Sequence, residues 1–248
     1  MVKKFWLLLL IGLSTAPSIS GTIDPYVSDD KYVSYGKDFI YVGKICGVYN
    51  SGEKFCASAV AIDDHHILTA AHVVQNSDSC SVYLNNKEFC LTKVTIHKDF
   101  ESKFGVADIA IGYSKQPFCL KFYPPLYSDT DEIGKKCSIS GFGITGNFKT
   151  GAIISDNKKR AGSNIIDSIE QDMLICSPSS FRDPQRTSLE FMISSGDSGG
   201  GLFIGNKLAG INSCVMAIDR IPSSKYNEES GHTRVQKFIP WIEENKVK

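Results

Sequence analysis

Three glycines frame an acid and a serine in Gly196-Asp197-Ser198-Gly199-Gly200, and no other run restricts the fold of this chain as tightly. Glycine reaches backbone conformations closed to other residues, so the run can turn sharply and bring main-chain amides close to whatever lies above it. A serine hydroxyl is a poor nucleophile at neutral pH. It needs a base to take its proton and donors to hold the oxyanion that forms. A fold that uses this run must therefore carry a base and an orienting acid to Ser198 from elsewhere in the chain. Leu68-Thr69-Ala70-Ala71-His72 supplies the histidine, and Ala107-Asp108-Ile109-Ala110 supplies an acid in an apolar setting. His65, His66 and His97 lack the small-residue context of His72 and read as structural. Asp63, Asp64 and Asp99 lack the apolar neighbours of Asp108.

Between these motifs the pattern is that of strands. Short alternating or apolar runs recur between turn residues at 55–62, 81–84, 89–96, 137–140 and 207–214, which predicts an all-β chain. One helix is expected near the C-terminus, where Val235, Phe238, Ile239 and Ile242 fall on one helical face. Pro240 is tolerated only in a first turn, so the helix is expected to begin close to it. Tyr123-Pro124-Pro125-Leu126 reads as a crossover. It splits the chain near residue 120 into two β-barrels, with His72 and Asp108 in one, Ser198 in the other, and the active site between them.

The N-terminus has the marks of an export leader. Lys3 and Lys4 precede an apolar run from Phe5 to Leu13, and the small residues Ser18 and Ser20 place a cut before Gly21. A membrane span takes about 20 apolar residues, so the run is too short to anchor the chain. Export implies an extracellular or periplasmic location and makes disulfides the expected state of the eight cysteines. Cys46 and Cys56 flank one turn, and Cys80 and Cys90 flank another; hairpin pairing would bring each couple together. The pairing of Cys119, Cys137, Cys176 and Cys214 is not legible.

Charge and spacing exclude several function classes. The chain carries 27 basic and 27 acidic residues, which gives no support for nucleic-acid binding. Lys158-Lys159-Arg160 reads as a solvated loop. Gly141-Phe142-Gly143-Ile144-Thr145-Gly146 matches a dinucleotide fingerprint, but that motif needs a helix immediately after it, and Asn147-Phe148-Lys149-Thr150-Gly151 reads as loop. No His/Cys/Asp cluster has metal-ligand spacing. No cofactor or metal is expected, and a monomer is the default.

Taken jointly and in the order His72, Asp108, Ser198, the three motifs resemble those of the chymotrypsin/trypsin family of serine endopeptidases. Cys137-Ser138-Ile139-Ser140-Gly141-Phe142-Gly143, Asp172-Met173-Leu174-Ile175-Cys176, and Thr233-Arg234-Val235 with Phe238-Ile239-Pro240-Trp241-Ile242 echo further family segments in order. The resemblance runs from about Tyr32 to the end. It implies two six-stranded antiparallel β-barrels with a C-terminal α-helix, divided as 32–120 and 121–248 after a leader at 1–20 and an activation peptide at 21–31. It implies a secreted endopeptidase acting on proteins or peptides through an acyl-enzyme. Ser198 would be the nucleophile, His72 the base and Asp108 its orienter, with the amides of Gly196 and Ser198 as oxyanion hole.

The resemblance also implies a cation for a buried Asp197, which in the family is an α-amine released by an activating protease. Ser28-Asp29-Asp30-Lys31 before Tyr32 offers such a cut, although Tyr32-Val33-Ser34 departs from the family's usual new terminus. The alternatives are an acidic leader trimmed elsewhere and a lysine that meets Asp197 without cleavage. Met192, Ser213 and Val215 fall where the family reads its substrate, which favours a small or medium apolar residue before the cut. His232, near the expected pocket floor, could read an acidic side chain or simply pack. Val73 and Ile204 stand where the family has cysteines, and an insertion separates Cys176 from Ser198. These departures keep a catalytically silent binding or regulatory protein as the rival class, with a protease-fold esterase as a third.

Overall fold

The computed structural model describes residues 21–102, 105–180 and 182–247. The leader expected at 1–20 lies outside the described residues. The described chain opens with β1 (Thr22–Ile23) and α1 (Asp29–Gly36), then enters a sheet of β2 (Val42–Tyr49), β3 (Lys54–Ala61), β4 (His66–Thr69), β5 (Ser77–Leu84), β6 (Lys87–Cys90), β7 (Lys93–Ile96) and β8 (Ala110–Tyr113). The short α2 (Ala71–Val74) interrupts it after β4. Strand order is β6-β5-β2-β3-β4-β8-β7, every pairing antiparallel. The consecutive strands β6 and β7 lie at opposite edges, so the stretch 87–96 turns through Leu91 and Thr92 and joins the two edges into a barrel.

The rest of the chain repeats this solution. It contains β9 (Lys136–Gly141), β10 (Thr145–Asn147), β11 (Gly151–Ile154), β12 (Arg160–Ile165), β13 (Ser168–Glu170), β14 (Met173–Cys176), β15 (Phe191–Met192), β16 (Gly201–Ile204), β17 (Lys207–Met216), β18 (Glu229–Arg234) and α3 (Val235–Asn245). The second large sheet runs β12-β9-β16-β17-β18-β14-β13. Again consecutive strands, β12 and β13, occupy the two edges, separated by Ile166 and Asp167. Each sheet therefore has seven strands where six were expected, because the strand that closes each barrel breaks into two at its bend. A third, four-stranded sheet, β11-β10-β1-β15, packs the N-terminal strand between two segments of the second half.

Two apolar clusters hold the molecule together. One includes Ile45, Val60, Leu68 and Val82 of the first sheet and Ile109 just before β8, but also Phe203, Leu208 and Ile211 of the second sheet and Val235, Phe238 and Ile242 of α3. The other lies inside the second sheet, around Ile139, Leu174, Phe191 and Leu202, with Tyr32 of α1. Helix α3 begins at Val235 rather than near Pro240, which sits inside it. An interior proline costs about 3 kcal/mol. Burying Val235, Phe238 and Ile242 contributes about 1.5–3 kcal/mol each, so packing outweighs the lost hydrogen bond, and Pro240 faces outward.

Of three further expectations, one holds and two change. Cys46 and Cys56 are directly opposed across β2 and β3 and form a disulfide. Cys80 and Cys90 do not. The register sets Ser81 opposite Cys90, and a one-residue offset sends neighbouring side chains to opposite faces, leaving Cys80 buried and Cys90 exposed. The Lys158–Arg160 run is not a solvated loop. Arg160 is 1% exposed, and its guanidinium grips the carboxylates of Asp29 in α1 and Asp156. The ammonium of Lys159 donates to the Phe39 and Val42 carbonyls. Its pKa falls to about 8 through burial.

Candidate active site

His72 enters on α2, where β4 ends in Thr69-Ala70 and small buried residues let the helix start at once. Asp108 enters from just before β8. Ala107 takes a left-handed φ of 49°, and a tight turn from Ile109 N–H to Ala107 O, 2.8 Å, folds the carboxylate inward. The two side chains meet. Asp108 Oδ2 lies 2.7 Å from His72 Nδ1, and Oδ1 accepts from the His72 amide at 2.9 Å. An ionised carboxylate can only accept, so Nδ1 carries the proton and Nε2 is left with its lone pair facing outward from the pair.

Asp108 is fully buried. Burial alone would raise its pKa, but the charge and hydrogen bonds of His72, together with a hydrogen bond from Ser213, hold it below the usual carboxylate range. Burial would lower that of His72, and the Asp108 charge reverses the direction, so the imidazolium is favoured. Ser213 Oγ donates to Asp108 Oδ2 at 2.6 Å, and Thr233 Oγ1 donates to the Asp108 carbonyl at 2.9 Å. Ser213 is available because β17 slips register there: Asn212 pairs with His232 and Cys214 with Gly231, leaving Ser213 as the extra residue of a bulge. Bulges of this kind re-aim a side chain.

Ser198 lies at the turn before β16. The same Ser213 reaches it, since Ser198 Oγ donates to the Ser213 carbonyl at 3.5 Å. No hydrogen bond joins Ser198 to His72 among the described residues. Gly199, at φ +83°, faces Ser58 and Thr69 so closely that a Cβ would lie 2.1 Å from Thr69 Oγ1. The flanking carbonyls are committed: Ser195 O accepts from Ile144 N, and Asp197 O from Gly200 N and Asn212 Nδ2. A trans peptide then turns the N–H groups of Gly196 and Ser198 the other way, and neither has an acceptor among the described residues. Ser58, which the sequence gave no reason to select, fixes this loop by donating to Gly196 O and accepting from Phe142 N.

Of the three residues expected to read substrate, Val215 and Met192 lie near Ser230. Val215 pairs with it across β17 and β18, and the amide of Ile193, next to Met192, donates to its hydroxyl. Met192 is fully buried, while the Ser213 hydroxyl is used by Asp108. His232 packs rather than facing a ligand. It is fully buried, with Nδ1 donating to Asn212 Oδ1, and burial lowers its pKa to about 3.

Asp197 is fully buried beside Ser198. Its oxygens accept from the amides of Gly143 at 2.8 Å, Ser194 at 2.9 Å and Gly21 at 2.7 Å. A Cβ on Gly143 would lie 2.4 Å from Asp197 Oδ2, so that glycine of the dinucleotide-like run gives the carboxylate room, and β10 rather than a helix follows it. No lysine, arginine or histidine among the described residues pairs with Asp197. The amide that meets it belongs to Gly21 and not to Tyr32, which is buried in α1. No group of three metal-ligating side chains occurs among the described residues, and no helix there is long and apolar enough to cross a membrane.

A family model described as Trypsin matches residues 44–242. Among solved structures, the chain is similar to HL collagenase at 20% identity and TM-score 0.70, over 93% of this chain and 99% of that one. It is also similar to neuropsin, a serine protease expressed in the limbic system of mouse brain, at 19% identity and TM-score 0.66, over 83% of this chain and 94% of that one. No curated protein sequence matches it.

Proposed function

The chain belongs to the trypsin family, and on that premise we propose that it is a serine endopeptidase using Ser198 as nucleophile, His72 as general base and Asp108 as the acid that orients it. Family and fold together support a serine-type peptidase acting on protein substrates. One observation carries the finer reading: Ser213 touches both Asp108 and Ser198, so the acid–histidine pair and the serine share one residue as anchor.

In this reading a scissile carbonyl enters between Ser198 and the amides of Gly196 and Ser198. His72 Nε2 takes the hydroxyl proton as Oγ attacks, and Asp108 stabilises the imidazolium without itself being protonated. The free amides hold the developing oxyanion; losing one such donor costs about 2.7–4 kcal/mol of barrier. His72 returns the proton to the leaving amine. Water then attacks the acyl-enzyme by the same route. The half of the chain built on the first large sheet supplies His72 and Asp108 and the half built on the second supplies Ser198, corresponding to domains at 32–120 and 121–248. Met192, Ile193 and Val215 make the substrate pocket apolar, so a small or medium apolar residue precedes the cut. The leader at 1–20 directs secretion.

Fluorophosphonate labelling of the secreted protein tests this, with Ser198→Ala as control. Labelling that vanishes in the variant supports an assembled nucleophile. The lack of a hydrogen bond between Ser198 and His72 among the described residues favours the silent binding protein as second reading, and absence of labelling in folded protein would support it. Digestion of a peptide library that showed strong preference for Arg or Lys would overturn the apolar pocket.

A further inference from the structure

A buried carboxylate ordinarily has a charged partner, because desolvating a lone charge is costly. Among the described residues Asp197 has three amides and no cation, and burial raises its pKa to about 6 against those hydrogen bonds. One of the three amides differs in kind. The nitrogen of Gly21 stands at the sequence position where a leader cut is expected, after Ser18-Ile19-Ser20.

We propose that the cut removing the leader, between Ser20 and Gly21, is also the cut that switches the enzyme on, by turning the Gly21 amide into the cation of Asp197. A leader-removing peptidase adds water across this bond. The C–N bond breaks, the carbonyl carbon of Ser20 leaves as a carboxylate, and Gly21 keeps the nitrogen as an α-ammonium at neutral pH. No rearrangement is needed to seat it, since that nitrogen already lies 2.7 Å from Asp197 Oδ2.

The seat is built for this residue. Gly21 has φ +29°, and a Cβ there would fall 1.9 Å from the Phe191 ring, so no other amino acid enters the position without displacement. The residues that follow are held independently. Thr22 and Ile23 are paired on both sides by β10 and β15. Asp24, fully buried, is ion-paired with Arg186, which lies in the insertion before Ser198. Asp29 is held by Arg160. A cut after Lys31 would instead fall inside α1, separate β1 and Asp24 from the chain, and leave the new amine on a residue whose ring packs against Phe191. Asp197 stands between Gly196 and Ser198, so fixing its charge and place fixes both free amides of the proposed oxyanion hole. That last link rests on the serine-peptidase reading; the Gly21–Asp197 ion pair does not.

The test secretes the 248-residue chain with its own leader. The mature terminus is sequenced, and acylation of the Gly21 α-amine is followed by mass in folded and unfolded protein. A second form carries one alanine inserted between Ser20 and Gly21. The expected results are a terminus at Gly21, acylation at least about tenfold slower when folded, and about tenfold or greater loss of Ser198-dependent fluorophosphonate labelling in the insertion form. A terminus at Tyr32, a Gly21 amine as reactive in folded as in unfolded protein, or full labelling of the insertion form would overturn the proposal. A protected Gly21 amine in protein that never labels would uphold the ion pair while sinking the serine-peptidase reading, and the switch with it.

Discussion

Two aspartates of this molecule are equally hidden from water and behave in opposite ways. Asp108 lies beside an imidazole, and its pKa is held below the ordinary value. Asp197 lies among backbone amides, and its pKa is raised to about 6. Burial pushes both upward; among the described residues only Asp108 has an ionisable partner of opposite sign, His72, to reverse it. Hydrogen bonds from neutral donors hold a carboxylate in place without cancelling its charge. Histidine, which can itself become charged, does both.

The largest effect should come from Asp108→Asn. It keeps the shape and loses the charge, and kcat is expected to fall by about 10⁴-fold in a peptide-hydrolysis assay. Asp197→Asn sharpens the contrast between processed and unprocessed chains. After cleavage at Gly21 it strands an ammonium and should cost about 3–5 kcal/mol in denaturant unfolding. In the chain that keeps its leader, the same substitution removes an uncompensated charge and should stabilise at neutral pH.

The pH dependence follows from the two pKa directions. In the unprocessed chain, folded Asp197 keeps its proton longer than unfolded Asp197. That contribution is complete below pH 3.8 and lost as pH rises through about 6, a decline of about 3 kcal/mol visible in urea melts. His72 is raised above 6.5, so its stabilising contribution is present below that value and lost as pH rises through the folded pKa. Turnover needs the neutral ring and should rise over the same window; an acid limb centred below pH 6.5 would break the assignment. Ser213→Ala is expected to be the mildest change. It removes one hydrogen bond to a charged group, about 1.5–3 kcal/mol, and should lower kcat/KM by about 10–100-fold.

The contrast also separates what the sequence disclosed from what it did not. His72, Asp108 and Ser198 could be singled out because each sits in a short run with a local signal, and the structure brings His72 and Asp108 together. Part of both sheets, near 55–62, 81–84, 89–96, 137–140 and 207–214, was legible from alternation. Arg160 was not, because the run 158–160 looks solvated until Asp29, far away in sequence, is folded against it. Cys80 and Cys90 were misread through register, which a turn alone does not fix by one residue. Gly21 was expected to follow a leader, and nothing in the sequence marked it as a neighbour of Asp197, 176 residues away. The bulge that frees Ser213 has no composition signal, since nothing in Asn212-Ser213-Cys214 marks the slipped pair.

The placement of α3 carries a consequence for synthesis. Val235, Phe238 and Ile242 complete the core of the first sheet, and the amide of Val247 donates to His66 on β4. A chain emerging from the ribosome, N-terminus first, therefore cannot finish the half that holds His72 and Asp108 until α3 is free to pack. Until then the nascent polypeptide lacks the wedge that completes its earliest-made core.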